Sequence, residues 1–432
     1  MEKKLYKDQL TILKYINSYS KKLSNNGIRI DLVPFSDFVT WADCLGKEKI
    51  DNLQKKKKFS LNYLKILVLE LFSIGKNYKF NLVGPTLKKI DKINVIYSYC
   101  EKKDFRNNFY YDKYFGLKSN EIKNTYWFLI SLDNYVPKTK YKNLFILYRE
   151  ANRFKFYFFI KSIFRILKMK KSIYYLNNTY HLSEIYASFF FNTFKFNNFN
   201  LFLPFENRPN QNAIIEKTKL ISTSNLVNAY FHRLPEPLQT EMFYKKNEIN
   251  NLYVSSKVQK KVFSDYFNWP KNKLKVIKSL RYKNLKLRKN IIYLPYEIDD
   301  INFYLSNLKF LSEFYLEISK NFSISIHPLK KKSLKHIEFK RLFKKLTFPK
   351  NSKKDNDISI IFGETGSVAS ECLETYGKVY HITNQNYNIF SPEIWNNVQT
   401  TKIKEGIYLY KKISALKMLN IGSKKSSFKT LL

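Results

Sequence analysis

Strand-like runs alternate with helical segments along the second half of this 432-residue chain. The clearest unit is an apolar, β-branched run at 358–362, a Gly/Ser/Thr loop at 363–367, a helical segment at 368–376 and a second strand-like run at 378–382. The alternation begins at Asn251 and repeats up to this unit. Strands that alternate with helices pair in parallel and carry helices on both faces of the sheet. The sequence therefore predicts an α/β fold with parallel sheets.

The chain is long enough for two domains with separate cores. We place the boundary near residue 245, just before the second series of strands and helices. This division gives an N-terminal domain at 1–245 with helical additions, a C-terminal domain at 246–415 and a basic tail at 416–432. Within the first domain, the aromatic stretch from about 143 to 195 is predicted to be helical.

The loop at 363–367 has the composition of a phosphate-binding loop. Gly363 and Gly366 allow the backbone to approach a ligand closely, while Thr365 and Ser367 supply hydroxyl groups at the start of a helix. Free N–H groups at a helix start suit a phosphate. No lysine follows the second glycine, so the loop does not have the pattern of a nucleoside-triphosphatase. An ordinary helix cap accounts for Ser367 but not for the whole cluster.

A second motif, His327-Pro328, ends the strand-like run that begins at Phe322. The imidazole can donate a hydrogen bond to a phosphate oxygen, and the proline fixes the turn. A lone histidine in such a loop is more often structural, but the glycine loop follows one helix later in the same predicted sheet. We therefore predict a nucleotide site made of His327, Pro328, the loop at 363–367 and Glu371 of the following helix. Glu371 would contact a ribose hydroxyl or a base edge, or simply lie on the helix surface.

Glu206 is the first candidate for a catalytic base. It follows a strand-like run in the sequence Pro-Phe-Glu-Asn-Arg-Pro, and a carboxylate facing a cleft there can accept the proton of an attacking hydroxyl. Arg208 beside it can hold an acidic group of a substrate. A salt-bridged pair within the loop explains the same two residues equally well. Asp133, which follows the run ending at Leu132, is the alternative base.

The charge balance is strongly basic, with 77 Lys and Arg residues against 35 Asp and Glu residues and a net charge of +42. This charge favours an anionic partner, either nucleic acid or an acidic membrane face. Compositional bias is the competing explanation, because lysines are scattered over every segment. The segment at 154–171 places apolar and basic side chains on different faces of a helix, so it is predicted either to lie on an anionic membrane or to pack on the core.

Cysteine and metal motifs point to a metal-free protein of a reducing compartment. Cys44, Cys100 and Cys372 are far apart and lack metal-like spacing, which favours the cytoplasm. The sequence begins without the apolar core of a signal peptide, and no run approaches the roughly 18 apolar residues of a membrane-spanning helix. The Asp-Asn-Asp sequence at 355–357 precedes its strand instead of following it, so we do not interpret it as a metal site.

Three features resemble bacterial surface-carbohydrate glycosyltransferases of GT-B type, in particular the Kdo and sialic acid transferases that use CMP-activated ulosonic acids. The box at 205–209, with the downstream segment 230–232, is similar to the family's Glu-Asn box and following histidine. The run at 269–282 resembles the segment that closes the first unit of the donor domain. His327-Pro328 and the cluster at 365–367 are similar to the motifs that hold CMP.

The resemblance implies two Rossmann-like domains whose parallel sheets face an interdomain cleft. It implies that His327 and Ser367 contact the nucleotide phosphate, that Arg281 lies near the donor and that Glu206 acts in catalysis. The expected substrates are a nucleotide sugar, CMP-linked, and a glycan or lipid-linked acceptor at the inner face of the membrane, with no further cofactor and no metal. Asn210-Gln211 departs from the family pattern, in which an aromatic and an acidic residue often follow the proline.

Two alternatives stay open from the sequence. A CDP-polyol phosphotransferase of GT-B-like fold would use a similar donor site and a second histidine, which His232 can supply. A nucleic-acid-binding protein would use the positive charge directly and would show a steep dependence of binding on salt. The sequence contains neither an RNA-binding signature nor a helix-turn-helix, and we therefore expect no nucleic-acid partner.

Overall fold

The computed structural model of the protein describes most of the chain between residues 76 and 413. The described residues are 76–77, 79–87, 92–106, 108–139, 141–150, 153–154, 178–206, 208–232, 245–280, 290–295, 298, 300–316, 322–326, 330–347, 359–363, 368–384 and 397–413, with the single residues 18 and 160.

Nineteen strands and six α-helices lie in these residues. The strands are β1 (Lys76–Asn77), β2 (Phe80–Val83), β3 (Ile93–Cys100), β4 (Phe105–Arg106), β5 (Phe109–Asp112), β6 (Leu117–Lys118), β7 (Thr125–Ser131), β8 (Leu144–Arg149), β9 (Arg153–Phe154), β10 (Phe199–Pro204), β11 (Leu226–Tyr230), β12 (Asn251–Val254), β13 (Leu274–Val276), β14 (Ile291–Tyr293), β15 (Ser323–Ser325), β16 (Ser359–Phe362), β17 (Lys378–Ile382), β18 (Val398–Lys404) and β19 (Ile407–Lys412). The helices are α1 (Asn178–Phe194), α2 (Pro209–Ile221), α3 (Lys257–Phe267), α4 (Ile301–Phe314), α5 (Leu334–Lys345) and α6 (Val368–Tyr376). None of these described helices combines the length and hydropathy needed to cross a membrane.

The first large sheet contains eight strands in the order β13-β12-β11-β10-β3-β7-β8-β2. All neighbours pair in parallel except β8 and β2, which pair antiparallel at one edge. The chain winds from β3 through β7 to β8 on one side, and later from β10 through β11 and β12 to β13 on the other. The direction of winding therefore reverses between β3 and β10. In open parallel sheets, ligands bind beyond the carboxyl ends of the strands at such a reversal.

The second large sheet has the order β15-β14-β16-β17-β19-β18. Its first four strands are parallel, whereas β19 and β18 add an antiparallel edge. Here the winding reverses between β14 and β16, which marks the second expected ligand position. The α/β class predicted from the sequence is confirmed, with parallel strands at the centre of both sheets.

The central strands of the first sheet are buried on both faces. Val95, Ile96 and Tyr97 are three successive residues of β3, and each is 0% exposed. Successive strand side chains point to opposite faces, so this burial requires cover on both sides, which α1 provides on one face and the residues around β5 and β6 on the other. On one side, α1 packs the edge of its Phe190 ring on Phe128 of β7, with 5.4 Å between ring centroids. The run of apolar and aromatic residues in each strand thus explains its place inside the sheet.

The predicted change of domain near residue 245 does not coincide with the change of sheet. β12 and β13 continue the first sheet beyond β11, and the second sheet begins only with β14. The first sheet therefore extends to Val276, and the second begins at Ile291. The residues of a strand do not specify which neighbouring strand it joins. The predicted series starting at Asn251 is correct as secondary structure but belongs to the first sheet.

The predicted helical region at about 143–195 is wrong in its first part. Leu144–Arg149 form β8, which pairs in parallel with β7, and the helix α1 is described at Asn178–Phe194. A short apolar run suits a buried strand as well as a buried helix, so periodicity alone does not separate them. The basic amphipathic segment at 154–171 lies outside the described residues except at its first residue and at Ile160, and its orientation stays a prediction.

The connection from β3 to β7 forms a small separate antiparallel sheet of the three short strands β4, β5 and β6. Asp112 at the end of β5 is fully buried, and its Oδ1 accepts hydrogen bonds from the backbone N–H groups of Tyr114 at 2.9 Å and Phe115 at 3.1 Å. The N–H of Gly116 donates to the Asp112 carbonyl at 2.7 Å and closes the turn, with a glycine φ of +66°. Burial raises the pKa of Asp112 from 3.8 to about 6. The carboxyl group thus organises the turn that carries Tyr114.

Replacing Asp112 by Asn should alter how stability depends on pH. The folded-state pKa of about 6 exceeds the ordinary value of 3.8, so the contribution of Asp112 to stability falls as the pH rises through this window. The loss amounts to about 3 kcal/mol, because one pKa unit corresponds to about 1.4 kcal/mol. Asn keeps the accepting oxygen and does not ionise. Urea unfolding should therefore show D112N gaining about 3 kcal/mol relative to the wild type between about pH 4 and pH 7.

The control is Asp133→Asn, which makes the same replacement in an exposed turn. Parallel stability profiles for D112N and the wild type over this pH range would contradict a titrating, buried Asp112.

Candidate active site

Three parallel strands of the first sheet end at one cavity of about 400 Å³. Tyr99 comes from the end of β3, Glu206 follows β10 and His232 follows β11. The cavity thus lies at the winding reversal between β3 and β10, where a ligand site is expected. Its other lining residues are Tyr114, Leu132, Leu182, Ser183, Tyr186, Arg208, Pro209, Asn210 and Gln211.

Gln211, in the first turn of α2, holds the loop that carries Glu206. Its side chain is buried, and Oε1 accepts hydrogen bonds from the backbone N–H groups of Glu206 at 2.8 Å and Arg208 at 3.1 Å. The Nε2 group donates to the carbonyl of Pro204 at the end of β10. Pro209 occupies the start of the helix, where a backbone N–H is not needed. One amide therefore closes a tight strand-to-helix turn, with Glu206 lining the cavity.

Both carboxylate oxygens of Glu206 accept hydrogen bonds. Oε1 lies 2.8 Å from Nε2 of His232, and Oε2 lies 2.9 Å from Nε of Arg208. The His232 side chain is only 3% exposed and its ring is packed against Tyr114, whereas the Glu206 side chain is 19% exposed. Both residues line the cavity, and the Glu206 carboxylate is the more accessible of the two groups. The salt-bridged loop pair that the sequence allowed is present, and it lies in the cavity.

Asn210 organises two tyrosine hydroxyls beside the carboxylate. Its Nδ2 group donates to the hydroxyl oxygens of Tyr97 and Tyr99, each at 2.8 Å. An amide nitrogen has two hydrogens, so one serves each tyrosine and both hydroxyl oxygens act as acceptors. Burial raises the pKa of Tyr99, so its hydroxyl keeps its proton at neutral pH. Because Tyr97 is fully buried and Tyr99 lines the cavity, the Tyr99 hydroxyl is the one positioned to donate to a ligand.

Asp133, the alternative base, occupies a different environment. It is exposed, and its Oδ2 accepts a hydrogen bond from the backbone N–H of Lys102 at 2.8 Å. Its Oδ1 accepts from the N–H of Tyr135 at 3.2 Å. Its neighbour Leu132 lines the cavity, but Asp133 is not among the lining residues. The geometry favours Glu206 over Asp133 as the residue that reaches a bound molecule.

Gly363 opens the predicted phosphate loop at the carboxyl end of β16. Its φ is +58°, and its N–H donates to the carbonyl of Ile382 at 2.8 Å. Its carbonyl lies 2.7 Å from Nε2 of His381, whose Nδ1 lies 3.0 Å from the hydroxyl of Tyr410. Burial lowers the pKa of His381 to about 4, so the ring is neutral and can donate at Nε2 while accepting at Nδ1. The first peptide of the loop is therefore held by a buried side chain as well as by the sheet.

Of the other predicted donor-site residues, Glu371 alone belongs to the described part of the chain. His327, Pro328, Thr365, Gly366, Ser367 and Arg281 lie outside the described residues, and their roles stay predictions. Glu371 is described, half-buried in the first turn of α6. Burial, and after it the neighbouring Cys372 and Glu371, raise the pKa of Tyr293 at the end of β14. Gly363 also lies beside the β14 end, since a Cβ built on it would be 3.1 Å from Pro295. The structure thus brings Glu371 and Gly363 to the β14–β16 reversal.

Sequence reasoning missed Tyr99, Tyr114 and Gln211. Tyr99 could have been predicted from the sequence, because it lies near the end of a strand-like run and such strand ends carry ligand sites in parallel sheets. Tyr114 gave no such signal, since its position depends on the buried turn at Asp112. Gln211 and its neighbour Asn210 stood out only as a departure from a family pattern, and here they hold the carboxylate loop and the tyrosine hydroxyls.

Comparison with known proteins identifies no close relative. No family profile matches the sequence, and no curated protein matches it. Among solved structures, the chain is similar to the crystal structure of an α,α-trehalose-phosphate synthase (UDP-forming) from Burkholderia vietnamiensis. The sequences are 8% identical, and the match covers 64% of this chain and 86% of the synthase with a TM-score of 0.33. At this TM-score the likeness identifies neither a family nor an activity.

Gly363→Ala should destabilise the protein more than Gly377→Ala. Both glycines have positive φ, +58° and +73°, so alanine costs about 1–2 kcal/mol of backbone strain at each. A Cβ at position 363 would also lie 2.7 Å from the hydroxyl of Tyr304, whereas nothing lies within 4 Å of one at position 377. Tyr304 is buried and its ring stacks on Phe362, so it cannot swing away freely. We expect a further loss of about 1–3 kcal/mol in G363A, measured by urea unfolding.

Gly377→Ala is the matched control, because it tests the positive φ without the close contact. Equal losses of stability in the two variants would show that Gly363 is required only for its backbone angle and not for close approach.

Proposed function

We propose that this protein is a glycosyltransferase that moves a sugar from a nucleotide donor to the hydroxyl of a glycan or lipid-linked acceptor. The observation that carries the proposal is the position of Glu206. An accessible carboxylate, backed by a buried imidazole and an arginine, lines a tyrosine-rich cavity at the winding reversal of a parallel sheet. A second reversal lies near Gly363 and Glu371, and the nucleotide would bind there.

The acceptor would bind in the cavity of the first sheet. The tyrosine rings of residues 99, 114 and 186 provide apolar faces of the kind on which sugar rings pack, and the Tyr99 hydroxyl can donate to a sugar oxygen. Glu206 would take the proton of the acceptor hydroxyl while the hydroxyl oxygen forms its bond to the anomeric carbon of the donor sugar. The bond between that carbon and the nucleotide phosphate breaks at the same time, in an inverting displacement. His232 would hold the Glu206 carboxyl group in place and would not itself touch the substrate.

The donor would bind at the carboxyl edge of the second sheet. The resemblance to CMP-sugar transferases supports a CMP-linked ulosonic acid, with His327, Pro328, Thr365, Gly366 and Ser367 on the nucleotide and Arg281 nearby. N–H groups and cations there would stabilise the departing phosphate without a resident metal. His381 would support this site indirectly through the Gly363 carbonyl. We further propose a cytoplasmic enzyme that meets its acceptor at the inner membrane face.

A nucleotide screen by thermal shift tests the donor assignment. We expect CMP to raise the melting temperature of the protein, with smaller or no shifts for CDP, UDP, GDP and ADP. His327→Ala should abolish the CMP shift, because it removes a hydrogen-bond donor to the phosphate. His327→Asn keeps a donor of similar size and should retain part of the shift.

The outcomes of this screen separate the alternatives. Stabilisation by UDP or GDP would replace the donor and keep the class of reaction. Stabilisation by CDP above CMP would favour a polyol-phosphate transferase. The absence of a shift with every nucleotide would sink the glycosyltransferase proposal.

Glu206→Gln should lower turnover and leave nucleotide binding intact. Glutamine has nearly the same shape and still accepts a hydrogen bond from His232, but it cannot take the acceptor proton. We expect kcat for CMP release in the presence of a glycan acceptor to fall by about 10²- to 10⁴-fold, with the CMP thermal shift unchanged. Asp133→Asn is the comparison variant. A loss of turnover in D133N with normal turnover in E206Q would move the base to Asp133.

A further inference from the structure

Helix α5, which packs against the second sheet, has an unusual exposed surface. On α5, His336, Phe339 and Phe343 are buried, and their three- and four-residue spacing places them on one face. The opposite face carries Leu334, Ile337, Glu338, Arg341, Lys344 and Lys345, all of them exposed, and we call this set the α5 outer face. The helix is thus anchored to the core on one side and open to solvent on the other.

Two large aliphatic side chains stand out on this face. Leu334 is 83% exposed and Ile337 is 51% exposed. They are three residues apart, so they lie side by side on the helix surface. Single exposed aliphatic residues are ordinary in soluble proteins, whereas these two are adjacent and lie within a dense group of cations.

The surroundings of the pair are strongly basic. Segment 330–347 contains eight basic residues and a single acidic residue, Glu338. Among the described residues, no ion pair involves Arg341, Lys344 or Lys345. Their charges are therefore not neutralised within this part of the protein and remain available to an anionic surface.

We propose that the α5 outer face is a docking surface for anionic lipid membranes. Lys and Arg side chains are attracted to anionic headgroups, while neighbouring aliphatic side chains enter the boundary between headgroups and acyl chains. A nucleic acid would satisfy the cations equally but has no use for Leu334 and Ile337 at its phosphate backbone. The combination of both side-chain types selects the membrane. This surface is distinct from the predicted amphipathic segment at 154–171 and does not depend on the proposed transferase activity.

Vesicle co-sedimentation of the full-length chain tests the proposal. We expect binding to phosphatidylcholine vesicles that contain phosphatidylglycerol, and little binding to pure phosphatidylcholine. The charge reversal R341E/K344E/K345E should weaken binding about tenfold or more. The matched control K271E/K275E/K278E makes the same change in net charge at three exposed lysines elsewhere and should have a much smaller effect.

A second set of substitutions tests how much the two aliphatic side chains contribute to vesicle binding. Leu334→Ser with Ile337→Ser should weaken vesicle binding several-fold while leaving the melting temperature and any nucleotide shift unchanged, because both residues are exposed. Leu220→Ser, at a leucine that is 62% exposed on α2, is the control.

Several results would overturn the proposal. Equal losses in the two triple variants would show that the overall charge of +42, and not α5, drives binding. If the two serine substitutions leave vesicle binding unchanged, the aliphatic side chains do not insert into the membrane. Binding of a DNA or RNA duplex that needs the α5 cations, without binding to anionic vesicles, would assign the surface to nucleic acid.

Discussion

The pairing of β3 with both β7 and β10 is the constraint on which the rest of the structure depends. Because the strand is buried on both faces and has a parallel neighbour on each side, it must lie at the centre of the first sheet. The two halves of that sheet then wind away from it in opposite directions. The connections that leave β3 and β10 run to opposite sides of the sheet, and a cavity is left at the reversal. Tyr99, at the end of this strand, and Glu206, beyond its neighbour, consequently face the same space.

A set of side-chain hydrogen bonds fixes the polar side of the cavity. Gln211 holds backbone groups on both sides of Glu206, and Asn210 holds the hydroxyl of Tyr99. His232 and Arg208 occupy the two carboxylate oxygens. Buried polar groups need such partners, because an unpaired group costs free energy that packing cannot return. The result is a carboxylate whose position is set before any ligand arrives, which is the condition for efficient proton transfer.

The second sheet also has a winding reversal with a loop held by a buried polar side chain. Its reversal lies between β14 and β16, and the peptide that opens the following loop is held by the neutral ring of His381. Gly363 is required there because Tyr304 and Pro295 leave no room for a side chain. Much of the charge of the protein lies away from these interiors, as on the outer face of α5, where no described acidic partner neutralises it. Each of the two sheets therefore presents a winding reversal of the kind at which ligands bind in parallel sheets.

The sequence by itself determined the class of the fold and pointed to two candidate site positions. Alternating apolar runs predicted parallel sheets, and strand-end motifs predicted Glu206 and the Gly363 loop, because those features depend on local spacing. Only the tertiary structure decided that β12 and β13 join the first sheet, since pairing partners are a property of the whole chain. It alone brought Tyr114, His232 and Asn210 around Glu206 from separate elements. Such convergence depends on long-range packing, and no short stretch of sequence encodes it.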